Sequence, residues 1–383
     1  MEKVNKWVKP RSFHLQWHIT EKCNFKCKHC YTEGFVKDLS TRELFMILRQ
    51  YIDLIKIWEL DKNKRARKIS LSGGEPLLRK DFFKLLEEIH NNREMFSSVG
   101  VMSNGSTIND RVAKRLKDLG VSGVQISIDG LEGNNDKIRG KGNFRKAMNG
   151  VKKLVDNELP VGVSMTIHKG NVNDVEGLTS LCDSTGVKSF GVSRLVPIGR
   201  GKDTRMLEPL ETKKFYEKIM ELKGKWKDKG VYLSTHCSDS LWFLEDKNHE
   251  THGCSAGYDS FSILPNGDVV PCRRLPIRVG NILEKSLIDI WYTSDFLWKL
   301  RNKGNISACK NCEFFKKCFG GARCVAYGYF QNPFAPDPQC WRLFNSLPGK
   351  RASPVGASDL ILFNESYTES FDPKMYFNNM SKV

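Results

Sequence analysis

From about Phe13 to about Pro197 the sequence alternates short strand-like runs with helix-like segments, and this alternation limits the possible fold more than any other feature. Phe13, Leu15, Trp17 and Ile19 are separated by polar residues, the pattern of a half-buried strand. Ser40 and Glu43 have capping-box spacing, and Leu44, Ile47, Leu48, Tyr51 and Ile55 follow at helical intervals. A strand at 69–72 and a helix over 81–90 come next. Further strands are expected at 99–103, 124–128, 161–167 and 190–195, with helices between them that include 144–155 and 175–182. Six strand–helix repeats call for a parallel sheet with right-handed crossovers. The simplest α/β closure is a partial (β/α)6 TIM-type barrel, whose chemistry collects on loops at the C-terminal ends of the strands.

Gly199-Arg200-Gly201 and the charged stretch after it close this first unit, residues 1–200. A helix over 211–227 dominates a connector at 201–250. Residues 251–345 change in texture to short strands, turns such as Pro265-Asn266-Gly267-Asp268 and clustered cysteines, which fits a small cysteine-rich α+β domain. Residues 346–383 form a tail rich in Ser, Asn, Pro and Gly. No apolar run approaches the ~20 residues that span a bilayer, which argues against a membrane partner. The N-terminus has no signal-peptide-like stretch, so a cytoplasmic location is expected.

The net charge of +17 fits either a lysine-rich solvated surface or attraction to an acidic partner: an acidic peptide, a porphyrin carboxylate or nucleic acid. The basic run at 62–68 lacks the interleaved aromatics of a single-strand-binding platform, and no separate RNA-binding domain is visible. Nucleic acid is therefore the weakest of the three.

Twelve cysteines require a separate explanation. A chain of this length needs no disulfide staples, and ten of the twelve cysteines lie in clusters, which favours metal ligation. Cys23-Asn24-Phe25-Lys26-Cys27-Lys28-His29-Cys30 follows the first strand. Three thiolates in one loop can hold three irons of a cubane and leave the fourth open to chelate a substrate. A structural zinc would need a fourth ligand, and His29 is poorly placed to supply it between Lys28 and Cys30. Cys182 shares a helix face with Val175 and Leu178 and reads as core.

Together with Ser72-Gly73-Gly74-Glu75-Pro76 at the end of the second strand, this loop resembles the radical S-adenosylmethionine (SAM) superfamily. His29 takes the place usually held by an aromatic residue. The resemblance implies a [4Fe-4S] cluster on Cys23, Cys27 and Cys30 whose open iron binds SAM. One electron then cleaves SAM to methionine and a 5′-deoxyadenosyl radical, which abstracts hydrogen from the substrate. Gly73, Gly74 and Glu75 would hold the SAM amino group. Ser103-Asn104-Gly105 and Ser127-Ile128-Asp129-Gly130 resemble further turns of the superfamily's peptide-modifying members, so Ser103, Asn104 and Ser127 are candidate SAM contacts. Arg139 lies where relatives keep an arginine near the SAM carboxylate.

The spacing Cys254-x12-Gly267-x4-Cys272, then Cys309-x2-Cys312-x5-Cys318-x5-Cys324, then Cys340, resembles the SPASM domain, a carrier of two auxiliary iron–sulfur clusters. By that pattern Cys309, Cys312, Cys318 and Cys340 hold an outer cluster, and Cys254, Cys272 and Cys324 an inner one. The sequence departs from the family at Ala322, where the sixth cysteine is usual, and the thiol comes two residues later at Cys324. Cys237 is the nearest spare thiol, open to three readings: fourth inner ligand, hydrogen-atom donor or inert residue.

This architecture implies a maturase of a ribosomally made peptide, reduced by a ferredoxin or flavodoxin. Tetrapyrrole side-chain modification is the runner-up. Sulfatase maturation ranks third, because Arg273 follows Cys272 where those enzymes carry a catalytic aspartate. A non-catalytic iron–sulfur or zinc scaffold is the rival from another class. The 22 residues before Cys23 are too few for a winged-helix leader-binding module, so a peptide would be recognised by a separate leader-binding protein or by the barrel and tail.

Overall fold

The computed structural model describes residues 10, 12–32, 36–60, 66–235, 241, 253–302 and 306–349. Seven strands follow one another in parallel pairing: β1 (Phe13–Thr20), β2 (Arg67–Gly73), β3 (Ser98–Ser103), β4 (Gly123–Ser127), β5 (Val161–Ile167), β6 (Ser189–Arg194) and β7 (Tyr232–Thr235). The crossovers carry α1 (Thr41–Ile57), α2 (Phe82–Asn91), α3 (Asp110–Asp118), α4 (Glu132–Arg139), α5 (Asn143–Asp156), α6 (Val175–Ser184) and α7 (Pro209–Lys225). β1 to β6 match the expected strands to within two residues at either end. β7 was not expected, since its four residues are too few to show a period. It forms because the open edge of β6 offers it a ladder.

Three short strands extend the other edge. β8 (Ser260–Ile263) lies parallel to β1, and β9 (Asp268–Val270) and β10 (Gly280–Asn281) continue antiparallel. One sheet therefore runs from β10 through β9, β8 and β1 to β7, joining the barrel to the cysteine-rich region. The latter adds α8 (Leu287–Thr293), α9 (Asp295–Arg301), α10 (Phe315–Cys318) and α11 (Arg323–Phe330).

The outer faces of the strands carry the core. Leu15, Trp17 and Ile19 pack against Leu44, Ile47, Leu48, Tyr51 and Ile55 of α1, all buried. The Ser40–Glu43 capping box starts that helix, with the Ser40 amide donating to Glu43 Oε2 at 2.7 Å. Val175, Leu178 and Cys182 are buried on α6, as expected for core. Phe13, Trp58, Phe261 and Trp291 make an aromatic cluster, with Phe13–Trp58 and Phe261–Trp291 centroids both 5.0 Å apart, which fastens α8 to the barrel. The inner faces differ, since Ser70, Met102, Gln125, Ser127, Ser164 and Thr166 line cavities inside the barrel. Among the described residues no helix is long and apolar enough to cross a membrane.

Candidate active site

Beyond Thr20 the chain turns into the loop of Cys23, Cys27 and Cys30, and three other segments grip it. The amides of Gly74 and Glu75 donate to the carbonyls of Thr20 and Lys22, both at 2.8 Å. Gly73 has φ +146°, and a Cβ there would lie 2.2 Å from the Thr20 oxygen. One on Gly74 would lie 2.4 Å from the Lys22 oxygen. The paired glycines are thus what lets the end of β2 press against the cysteine loop. On the other side the Lys28 amide donates to the Ile138 carbonyl at the end of α4 (2.9 Å). The Arg200 amide and Nε donate to the carbonyls of Cys30 and Cys27, each at 2.9 Å.

A cleft of about 370 Å³ opens beside the loop. Cys23, Cys27 and Cys30 line it, together with Gly73, Gly74, Ser103, Asn104, Ser127 and Arg139. Glu75 does not. Its buried carboxyl accepts from the Leu77 amide (3.2 Å), the Ser103 hydroxyl (2.9 Å) and the Asn104 amide (2.7 Å), tying the end of β2 to that of β3. Burial pushes this carboxyl up to about 7 against those three donors.

Asp129 organises the opposite wall, and sequence reasoning did not single it out; the only signal was its Ser-Ile-Asp-Gly turn. It is fully buried, accepts from Arg139 Nε at 2.6 Å and from the Thr166 amide at 2.8 Å, and meets His29 Nε2 at 3.0 Å. Burial opposes its charge, but Arg139 and His29 beside it hold the carboxyl well below the ordinary carboxylate range.

The donor set fits an iron–sulfur cubane with an open iron. One loop offers three thiols that line the cleft, and the Nε2 of His29 is held by Asp129. Burial pushes the Cys27 thiol up to about 11 although Arg139 opposes it, so loading a cluster must displace protons. The hydroxyls and amides across the cleft suit the polar groups of SAM.

In the cysteine-rich region Cys309, Cys312, Cys318 and Cys340 line one small cavity with Phe314, Phe315 and Asp337. Burial pushes Cys309 up to about 12 and Cys340 up to about 11. Cys324, in the first turn of α11, is buried in an apolar cluster with Leu195, Val196 and Ala322, and Cys254 and Cys272 pack against the same cluster. Among the described residues no three His, Cys, Asp or Glu side chains converge as a single ion demands. A cubane instead spreads its thiolates over separate irons. Cys237 lies outside the described residues.

A partial TIM-type barrel with a three-cysteine loop after its first strand, extended by a cysteine-rich domain, defines a class of iron–sulfur enzyme. The radical SAM superfamily model matches residues 17–182, and the SPASM iron–sulfur cluster-binding domain matches residues 254–313. The chain belongs to the radical SAM superfamily and carries a SPASM domain; it is an enzyme of SAM and iron–sulfur chemistry.

Mycofactocin maturase MftC of Mycobacterium ulcerans is 30% identical over 85% of this chain and 87% of its own length. Sporulation killing factor maturation protein SkfB of Bacillus subtilis is 29% identical over 71% of this chain, which spans 63% of SkfB. Fe-coproporphyrin III synthase of Methanosarcina barkeri is 27% identical over 85% of this chain and 86% of its own. In fold, the chain resembles Streptococcus suis SuiB bound to precursor peptide SuiA, with a TM-score of 0.71 at 18% identity over 88% of this chain and 78% of SuiB.

Proposed function

We propose that this enzyme matures a ribosomally made peptide by abstracting hydrogen from it, so that a crosslink, epimerisation, oxidation or excision follows. The supporting observation is that MftC and SkfB are maturation proteins, the MftC match extending over 85% of this chain. Residues 1–200 carry the first six strands of the barrel, 201–250 are a connector that adds α7 and β7 to it, and 251–345 are the auxiliary-cluster domain. Cys23, Cys27 and Cys30 hold the first cluster, which supplies the electron that cleaves SAM. The Gly73-Gly74-Glu75 turn, Ser103, Asn104 and Ser127 orient SAM, and Arg139, fixed by Asp129, faces its carboxylate. Cys309, Cys312, Cys318 and Cys340 hold an outer auxiliary cluster, and Cys254, Cys272 and Cys324 an inner one. Cys237 is the remaining inner ligand, a hydrogen-atom donor or an inert residue. A ferredoxin or flavodoxin supplies electrons, and the peptide is recognised either by a separate leader-binding protein or by the barrel and tail.

Tetrapyrrole side-chain modification is the second reading, because the match to Fe-coproporphyrin III synthase also covers 85% of the chain. Sulfatase maturation lacks its aspartate, since Arg273 stands there. The deciding experiment reconstitutes the full chain anaerobically, reduces it and supplies SAM with either a precursor peptide encoded beside the gene or Fe-coproporphyrin III. A mass change in the peptide, in step with 5′-deoxyadenosine, is expected. Turnover of the porphyrin alone would replace the first reading with the second.

A further inference from the structure

Arg273 leaves the cysteine-rich domain directly after Cys272 and lines the same cleft as Cys23. Among the described residues its Nη1 donates to the Met102 sulfur at 3.2 Å, and its guanidinium stands 5.8 Å from the Tyr31 ring centroid. No carboxylate among those residues pairs with it. The neighbours of this half-buried guanidinium are thus a thioether and an aromatic ring, neither of which carries a formal negative charge.

Its depth separates it from the SAM residues. Met102 and Gln125 precede Ser103 and Ser127 on β3 and β4. They line both the cleft and a further cavity of about 240 Å³, floored by Gly100, Gly162 and Gly191, that continues towards the N-terminal ends of the strands. Arg273 thus meets the barrel wall below the layer that carries Ser103, Asn104 and Ser127. The histidines of this inner wall stay neutral: burial, then the charges of Lys68 and Arg273, push His14 down to about 4, and burial, then Arg273, push His18 down to about 3. They neither pair with the guanidinium nor compete with it for an anion.

We propose that Arg273 receives a carboxylate of the substrate inside the barrel. This rests on the reading of the cleft as the substrate cavity of a radical SAM enzyme. The carboxylate has two sources: an acidic side chain of a peptide, or the propionate of a tetrapyrrole.

The test measures binding to the cluster-loaded, SAM-bound full chain and to R273Q and R273K. The probes are blocked Ala-Ala-Glu-Ala-Ala against its Gln counterpart, and Fe-coproporphyrin III against its tetramethyl ester. A charge-assisted pair in a partly desolvated site predicts that wild type prefers the Glu peptide by roughly tenfold to a hundredfold. R273Q should erase the preference, and R273K should retain part of it. A preference shown only by the porphyrin acid over its ester supports the carboxylate site and overturns the peptide reading. No preference with either pair overturns the site and leaves the peptide reading to its turnover test. A parallel loss of SAM affinity in R273Q would assign Arg273 to SAM's own carboxylate and overturn the proposal. If R273Q loses iron because Cys272 is adjacent, R273K decides: a preference reduced from wild type supports the site, and one left at the wild-type value overturns it.

Discussion

At Gly74 a methyl group would stand 2.4 Å from the Lys22 carbonyl oxygen and 2.5 Å from that of Glu21, closer than real Cβ atoms pack. Gly74→Ala should push the end of β2 off the cysteine loop at a cost of about 1–3 kcal/mol and weaken SAM binding more than tenfold. Equilibrium dialysis with labelled SAM checks this, and unchanged affinity would show that the loop holds its place without the turn. Glu75 next door makes a pH-dependent contribution. Burial raises its carboxyl from the ordinary glutamate value of about 4.5 to about 7 in the folded chain, which favours the protonated form. Below about 4.5 both states hold the proton and stability is not penalised. As pH rises from 4.5 through 7 the unfolded chain releases its proton first, and stability falls by of the order of 3 kcal/mol. Urea titrations of the loaded protein between pH 5 and 8 should show this decline, and Glu75→Leu should flatten it. The Gly-Gly-Glu turn was legible in sequence, but the use of its carboxylate was not. Its partners Ser103 and Asn104 lie at the end of another strand and just past it, 28 and 29 residues away.

Between elements, a buried ion pair joins the end of β6 to the segment before Cys340. Arg194 gives Nη1 and Nη2 to the two oxygens of Asp337 at 3.0 and 2.7 Å, both side chains being about 1% exposed. Asp337 also accepts from the Ala322 amide at 3.0 Å, two residues before Cys324, and lines the cavity of Cys309, Cys312, Cys318 and Cys340. One carboxylate thereby links the barrel to both groups of auxiliary cysteines. Asp337→Asn leaves a buried guanidinium without its counter-charge and should cost about 3–5 kcal/mol. Thermal unfolding and iron-to-protein ratios would register it, with iron lost from the outer site first. A variant with wild-type melting and iron would show the pair to be dispensable. Elements with strong periodicity, such as α1 and β5, were legible because one buried face repeats along each. α3 and β7 were not. α3 buries only Ala113 and Leu116, and β7 is ordered by its neighbour's edge.

Across the whole molecule, the continuous sheet and the Phe13–Trp58–Phe261–Trp291 cluster fasten the cysteine-rich domain to the barrel, while the thiols stay in separate neighbourhoods. Cys324→Ala should therefore lower iron at the inner site and extinguish its EPR or Mössbauer signal, with the outer site intact and SAM cleavage persisting. Unchanged inner spectra would show that Cys324 is no ligand. Replacing Cys23, Cys27 and Cys30 together should do the reverse, abolishing 5′-deoxyadenosine formation while most auxiliary iron remains. Sequence by itself determined the barrel, the three-cysteine loop, the glycine turn and the family, because periodicity and ligand spacing are local and survive without coordinates. It could not reach Asp129 between His29 and Arg139, Asp337 opposite Arg194, or Arg273 beside Met102 and Tyr31. Those contacts join residues from 10 to 242 positions apart, and only the closing of the sheet brings such charges within hydrogen-bonding reach.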